Sequence, residues 1–348
     1  MKLAPARLTP IFVPRIWGAR SLAPLFDAPP GNEPIGEVWL TGNRCTFASG
    51  EFAGRILGEA WPALPEEWTG TQVRGAPAIP LLVKFIFPED KLSVQVHPDD
   101  EYAAKHEAAA GGVGKTEMWY AVAAREGAEL RLGLEPGVTQ ESFRRAVADG
   151  TAERCLQPIA VHAGDSFFVP AGTAHTIGPG MVLCEIQQHS DITYRVFDYN
   201  RVQADGTPRA LHIRQALEII RFGEQGGGKL EPVQIRRGPL VETYFAACRY
   251  FAAERWEFAE RVAAVTSPER FELLIVLGGR GRLEWASESA PYAPAEVWLL
   301  PAALRAYQLA PESATTLLRT YVPDLQEFAR RLADQRLEEA AWSRLVHL

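Results

Sequence analysis

Residues 164–175 read GDSFFVPAGTAH. An apolar run stops at Pro170, turns through Gly172 and at once presents His175. Proline presets φ for such a turn and glycine tolerates positive φ. A neutral imidazole delivered by the turn into a barrel mouth is a natural metal ligand. His97 is a second candidate. In KLSVQVH, Leu92, Val94 and Val96 alternate with Ser93, Gln95 and His97, so period two puts Gln95 and His97 on one polar face. Glu117 opens EMWYAV after a glycine-rich turn. Two imidazoles, a carboxylate and the Gln95 amide would form a mixed N/O site with positions left for water. Such a site suits zinc, and also iron or manganese. Singly, each histidine is more simply a core residue bonded to backbone; together with Glu117 and the turn they favour a metal.

Short apolar runs between Gly and Pro signals must position these residues: IPLLVKFIF, KLSVQVH, EMWYAVAA, AELRLGL, DSFFVP, MVLCEIQQ and TYRVFDY. Many short strands with turn punctuation predict a sandwich or barrel. Helices are expected at 99–109 behind the capping residues Asp99 and Asp100, at 139–149 behind Thr139, and at 208–222. EQGGGK reads as a linker, which places a domain boundary at 228/229. A second β-rich block follows, with LLIVLGGRGRLEW as a hairpin turning at GGRG, EVWLLPA as a strand and a terminal helix over 324–343.

The chain has 348 residues, 47% hydrophobic and 23% charged, with net charge −7. That is enough for two domains with cores. The acidic balance argues against a general nucleic-acid binder. No apolar stretch is long enough for a membrane helix, and the opening MKLAPARLTPIF lacks the apolar centre of a signal peptide. Four scattered cysteines without CxxC spacing are expected to be reduced, in a cytoplasmic protein.

Gly164, Pro170, Gly172 and His175 match the second motif of the cupins, and SVQVHPDDEYA, GKTEMWY, VPAGTAHTI and EIQQHSDITYRVFDYNR occur in the order found in the type I mannose-6-phosphate isomerase family. The chain resembles the short bacterial form of that family, clearly over about residues 10–220. The resemblance implies a mainly β fold of two cupin-type (jelly-roll) barrels with a few added helices. A catalytic metal-binding unit would span 1–228, with helical insertions near 99–110, 139–150 and 208–222. A degenerate metal-free unit with a C-terminal helix would span 229–348. It implies one zinc per chain at Gln95, His97, Glu117 and His175, with Gln95 the weaker ligand. It also implies a catalytic Arg195, an acidic Glu185 beside the sugar, and Ser93 and Lys115 at the substrate's phosphate end. The reaction would be aldose–ketose isomerisation between mannose 6-phosphate and fructose 6-phosphate through a cis-enediol. Zinc would polarise the carbonyl, and Glu185 or a water would move the proton. The partner is then a small sugar phosphate, not nucleic acid or membrane, and the protein a monomer or homodimer. Where long family members carry a helical domain, only residues 135–157 stand here, so the site mouth should be more open.

Other readings compete. The chain could be a non-catalytic sugar-binding cupin or a metal-dependent oxygenase. GGVGKT fails as a phosphate loop, because the first glycine would fall at Ala109 and the helix precedes rather than follows. Lys115 could be a solvated turn lysine. Alternation in a strand nevertheless sends Lys115 and Glu117 to one face, about 6–7 Å apart at Cα. Arg195 could pair with Asp191 or Asp198, or with Glu185 if a hairpin set them side by side. Trp17 and Trp39 could stack on sugar, although core tryptophans are commoner. His106, His162, His189, His212 and His347 read as structural or exposed. In the second block PAALRA stands where Pro-x-Gly-x2-His would fall, and no His occurs from 213 to 346.

Overall fold

The predicted strands form, and four sheets arrange them. The computed structural model describes residues 3–27, 31–203, 205–224, 226–335 and 339–347. A seven-stranded sheet runs in the order Gly228–Lys229, Ser166–Val169, Glu117–Ala124, Met181–Gln188, Leu81–Ile86, Ile35–Trp39, Ile11–Ala19. It faces a five-stranded sheet ordered Tyr194–Phe197, Val94–Val96, His175–Ile177, Glu129–Leu134, Leu156–Ala160. Trp119, Phe167, Leu183, Leu130 and Ile177 pack between them as the interior of a first barrel.

A nine-stranded sheet built mainly from the second half faces a four-stranded one, with Trp256, Leu274, Leu283, Trp298 and Tyr307 between them. The chain is therefore mainly β, in two barrel-like sandwiches. The outer faces of the seven- and nine-stranded sheets meet over a third core, including Phe85, Tyr120, Cys184, Phe245, Phe271 and Leu299. EMWYAV and MVLCEI read as continuous apolar runs because their strands are covered on both sides. Met118 and Tyr120 face the second barrel while Trp119 and Ala121 face the first interior.

Two helices form close to the expected bounds. Asp100–His106 starts behind Asp99, whose carboxylate accepts from the Tyr102 amide, and Gln140–Ala148 starts with a capping box between Thr139 and Ser142. The third is shorter than 208–222 and spans Ile213–Ile219. Residues before it are drawn out of helix by a bridge from Val202 to Pro208 and by the His212 amide, which donates to the Arg195 carbonyl. The terminal helix breaks into Leu325–Ala333 and Glu339–Trp342; residues 336–338 of the expected span lie outside the described residues.

LLIVLGGRGRLEW is not a hairpin. Glu272–Gly278 belongs to the nine-stranded sheet and Gly281–Trp285 to the four-stranded one, so GGRG carries the chain from one sheet to the sheet facing it. In the linker, Gln225 lies outside the described residues, while Gly228–Lys229 pairs with Ser166–Val169. The strand Ala6–Thr9 pairs with Val297–Leu300 and so joins the second barrel's sheet. All four cysteines are free, and no helix among the described residues is long and apolar enough to cross a membrane.

Candidate active site

Two rows of side chains face each other across the first barrel. On the five-stranded sheet, Gln95 lies opposite His175 on one side and Arg195 on the other, so the three share a row. On the seven-stranded sheet, Glu185 lies between Lys84 and Trp119, and Gln187 pairs with Glu117. His97 follows the strand Val94–Val96, held where its carbonyl accepts from the Gly172 amide at 2.8 Å. The Pro170–His175 turn thus ties the two histidines together. Gly172 has φ +84°, and a Cβ there would meet the Ile219 carbonyl at 2.9 Å.

His97, Glu117 and His175 are buried, and their ligand atoms lie within 4.8 Å of one another. Each ring places Nδ1 against a backbone carbonyl, Ile192 for His97 at 2.8 Å and Thr173 for His175 at 3.0 Å. Nδ1 therefore carries the proton in the neutral ring and Nε2 keeps its lone pair. Both Nε2 atoms face the same Glu117 oxygen, at 3.7 and 3.6 Å. Burial, then the Lys115 charge, holds His97 well below the usual histidine range, and burial lowers His175 to about 4. Neither Glu117 oxygen accepts an aligned hydrogen bond, although the Lys115 ammonium stands 2.6 Å from Oε2. Two neutral imidazole lone pairs and a buried carboxylate at one point form a donor set that fits a divalent cation.

Gln95 reaches this point but turns its amide nitrogen toward His175 Nε2 at 3.2 Å, while its oxygen accepts from Ser93 Oγ at 3.1 Å. A ligand role requires the opposite amide face. Ser93 also accepts from Arg195 Nε at 3.2 Å, which links Arg195 through Ser93 and Gln95 to His175. Arg195 donates to the Ala210 carbonyl and has no ion pair among the described residues; Asp191 pairs with Lys84, and Asp198 with Arg201 and Arg209. Nor do Glu185 and Arg195 form a hairpin pair, since their strands lie in different sheets.

Lys115 does not stand at a separate end of the site. Its Nζ lies 3.2 Å from His97 Nε2 and 3.5 Å from Glu185 Oε1, besides its contact with Glu117. A buried ammonium must find carboxylates, and the long lysine stem reaches Glu117, two residues on, and Glu185 on the neighbouring strand.

Sequence reasoning passed over several groups. Lys84 is fully buried, 2.9 Å from Asp191 and 3.7 Å from Glu185, and stands over the Trp39 ring. Burial lowers its amine, but Asp191, Glu37 and Glu185 outweigh burial and raise it. A lone lysine inside the apolar run IPLLVKFIF was the available signal. Arg15, Glu37, Asp191, Gln203 and Arg209 also line a cavity of about 380 Å³, with Trp17, Ser93, Gln95, Lys115, Glu185 and Arg195. His212 has the structural role expected of it, its Nδ1 accepting from the Arg195 backbone amide at 3.3 Å. Burial raises the Glu185 carboxyl above its usual value, with Trp119 Nε1 donating to it at 3.1 Å. Burial, followed by Arg209, lowers the Arg195 guanidinium. Five cations, Arg15, Lys84, Lys115, Arg195 and Arg209, against three carboxylates, Glu37, Glu185 and Asp191, leave the lining net positive, which suits an anion.

Residues 6–136 match the family model described as "Phosphomannose isomerase type I, catalytic domain". The chain is 33% identical over 316 residues to mannose-6-phosphate isomerase ManA of Bacillus subtilis, covering 89% of this chain and 96% of that one. The crystal structure of the mannose 6-phosphate isomerase from Bacillus subtilis superposes with a TM-score of 0.83 at 29% identity, covering 91% of this chain and 99% of the other. A zinc-bound mannose 6-phosphate isomerase structure has the same fold, with a TM-score of 0.73 at 16% identity over 91% of this chain and 99% of that one.

Proposed function

The chain belongs to the type I phosphomannose isomerase family, and from that premise we propose that it interconverts mannose 6-phosphate and fructose 6-phosphate. The observation that carries this is the convergence of two neutral imidazole Nε2 atoms and the Glu117 carboxylate beside a cavity whose lysines and arginines outnumber its carboxylates. Such a cavity accepts an anionic polyol at one end and a metal at the other.

We assign one zinc per chain to His97, Glu117 and His175, with Gln95 as a fourth ligand once its oxygen turns inward. When bound, zinc supplies Lewis acidity to a substrate carbonyl. Glu185 moves the proton between C1 and C2. Burial raises its carboxyl above the ordinary carboxylate value, and it lines the cavity within reach of a bound substrate. Lys115 and Lys84 hold Glu185 in place from two sides. Arg195 sits in the Gln95–His175 row, where fixed positive charge would meet the negative charge of the enediolate. Ser93 orients both Gln95 and Arg195. Arg209 and Arg15, fixed by Asp198 and by Glu37, line the cavity together with Lys115 and take the phosphate end with it.

The division expected at 228/229 is proposed a little later, after Leu230, because Gly228–Lys229 still pairs with Ser166–Val169; the strand Ala6–Thr9 is lent by the first unit to the second. The four free cysteines support a reducing, cytoplasmic setting. The protein would act as a monomer or homodimer, which sedimentation decides.

The test is to load the purified protein with zinc, add mannose 6-phosphate and follow fructose 6-phosphate. Turnover that disappears with a chelator and returns with zinc is expected. Sugar binding without turnover would make the chain a sensor, and oxygen consumption would make it an oxygenase; either would overturn the proposal.

A further inference from the structure

We propose that the second barrel positions the metal centre through one carboxylate, Asp100, and that Tyr250 and Arg249 are the positioning residues. The inference rests on the metal reading above and extends it to residues far from the ligands in sequence.

The residues leading into Glu117 have little regular structure of their own. Residues 111–116 lie between a short 3-10 turn, Ala108–Ala110, and the strand Glu117–Ala124. Side chains hold this segment. The Gly114 amide donates to Asp100 Oδ1 at 2.9 Å. The Thr116 amide donates to Gln188 Oε1 at 2.8 Å, and Gln188 Nε2 donates to the same Asp100 Oδ1 at 2.8 Å. Lys115, between the two, donates its amide to the Pro98 carbonyl at 2.9 Å. Asp100 Oδ1 thus ties down the approach to Glu117 directly at Gly114 and through Gln188 at Thr116, beside the Gln188 amide on the Thr116 carbonyl and the Ser190 hydroxyl on the Val113 carbonyl.

The other oxygen, Oδ2, faces the second barrel. It accepts from the Tyr250 hydroxyl at 2.7 Å and from Arg249 Nη2 at 3.0 Å. Both donors stand on the turn between the strands Leu240–Cys248 and Ala252–Phe258, which the Cys248 amide closes by donating to the Phe251 carbonyl. That turn belongs to a sheet whose strands are heavily buried, so it is a firm point of attachment. One carboxylate therefore spans the junction, with its two oxygens serving different barrels.

The fit is close. A Cβ on Gly114 would lie 2.5 Å from the Asp99 carbonyl carbon and 2.6 Å from the Asp100 amide, so only glycine allows the loop to approach the helix start. If Oδ2 loses its donors, the carboxylate is held only through Oδ1, by the Gly114 amide and Gln188. Its rotation is then less restrained, and the backbone that presents Glu117 and Lys115 loosens. Outer partners of this kind commonly govern metal affinity through ligand placement.

The experiment uses the full chain and Tyr250→Phe, which removes only the hydroxyl, alone and with Arg249→Ala. Hydrogen exchange on metal-free protein should speed up about tenfold at the Gly114 and Thr116 amides, with strand amides of both barrels unchanged. Zinc affinity, measured by competition with a chromogenic chelator, should fall about tenfold in the double variant, while Tm stays within a few degrees. Arg237→Ala, an arginine of the second barrel outside this network, should change neither. Unchanged exchange at Gly114 and Thr116 would overturn the proposal. So would exchange that rises equally everywhere along with a lower Tm, because the contact would then be general packing. The exchange result needs no metal and no turnover, so a failed isomerase assay and a failed positioning role are told apart.

Discussion

At the scale of the residue, the site divides its positive charges between two tasks. Lys84 and Lys115 are enclosed by carboxylates, Asp191 and Glu185 for one and Glu117 and Glu185 for the other. Arg195 has no carboxylate partner among the described residues and is lowered by burial and by Arg209. Arg209 keeps Asp198 as a partner but lines the cavity. The expected kinetics separate them. Arg195→Ala should lower kcat by about a hundredfold or more with zinc content unchanged, as the loss of a preorganised donor does. Arg209→Ala should mainly raise KM for mannose 6-phosphate, by about tenfold or more, a charged phosphate contact being the interaction removed. Steady-state kinetics on both variants decide it. Equal loss of kcat in both would merge the two arginines into one role. His175→Ala should lose most of its metal by elemental analysis, since it removes one of three close donors.

At the scale of the element, what could be read in advance follows from how each strand is covered. Period two in Leu92–His97 located Ser93 and Gln95 on the cavity side, and both do line the cavity. The Pro-x-Gly-x2-His turn located His175. Lys84 was hidden because its strand is apolar on both faces, so no alternation marked which side was interior. Arg209 was hidden because it lies in an irregular segment that the pattern read as helix. LLIVLGGRGRLEW misled because a glycine turn between facing sheets looks locally like a hairpin turn. The Gly172 turn supports a direct test. Gly172→Ala forces a non-glycine residue into positive φ and crowds the Ile219 carbonyl. A loss of about 1–2 kcal/mol is expected. Zinc retention should fall too, since the same turn holds His97 and His175. Thermal melts and chelator competition read the two effects, and an alanine variant matching wild type in both would refute the account of the turn.

At the scale of the whole molecule, the second barrel fills its interior with an ion cluster. Glu254 and Glu272 are fully buried around Arg319, whose Nε donates to Glu272 at 2.9 Å and Nη1 to Glu254 at 3.1 Å. Arg331 pairs with Glu254, and the Tyr321 hydroxyl donates to it at 2.6 Å. These carboxylates, guanidiniums and hydroxyl satisfy one another inside the barrel. Burial alone would raise the Glu254 pKa, but Arg331 and Arg319 outweigh it and bring the carboxyl from 4.5 down to about 2. A folded pKa below the unfolded one means stability that is complete above about pH 4.5 and is lost as pH falls toward 2. The shift corresponds to about 3 kcal/mol at neutral pH. Glu254→Gln, which keeps the shape and removes the charge, should therefore destabilise the protein by about 3 kcal/mol at pH 7, leaving Arg319 and Arg331 underpaired. The gap between variant and wild type should stay level down to about pH 5 and narrow below pH 4.5, because wild type then loses the same charge by protonation. Urea unfolding at a series of pH values measures this. A gap that stays constant down to pH 3 would mean that the cluster acts through packing, with no charge contribution from Glu254.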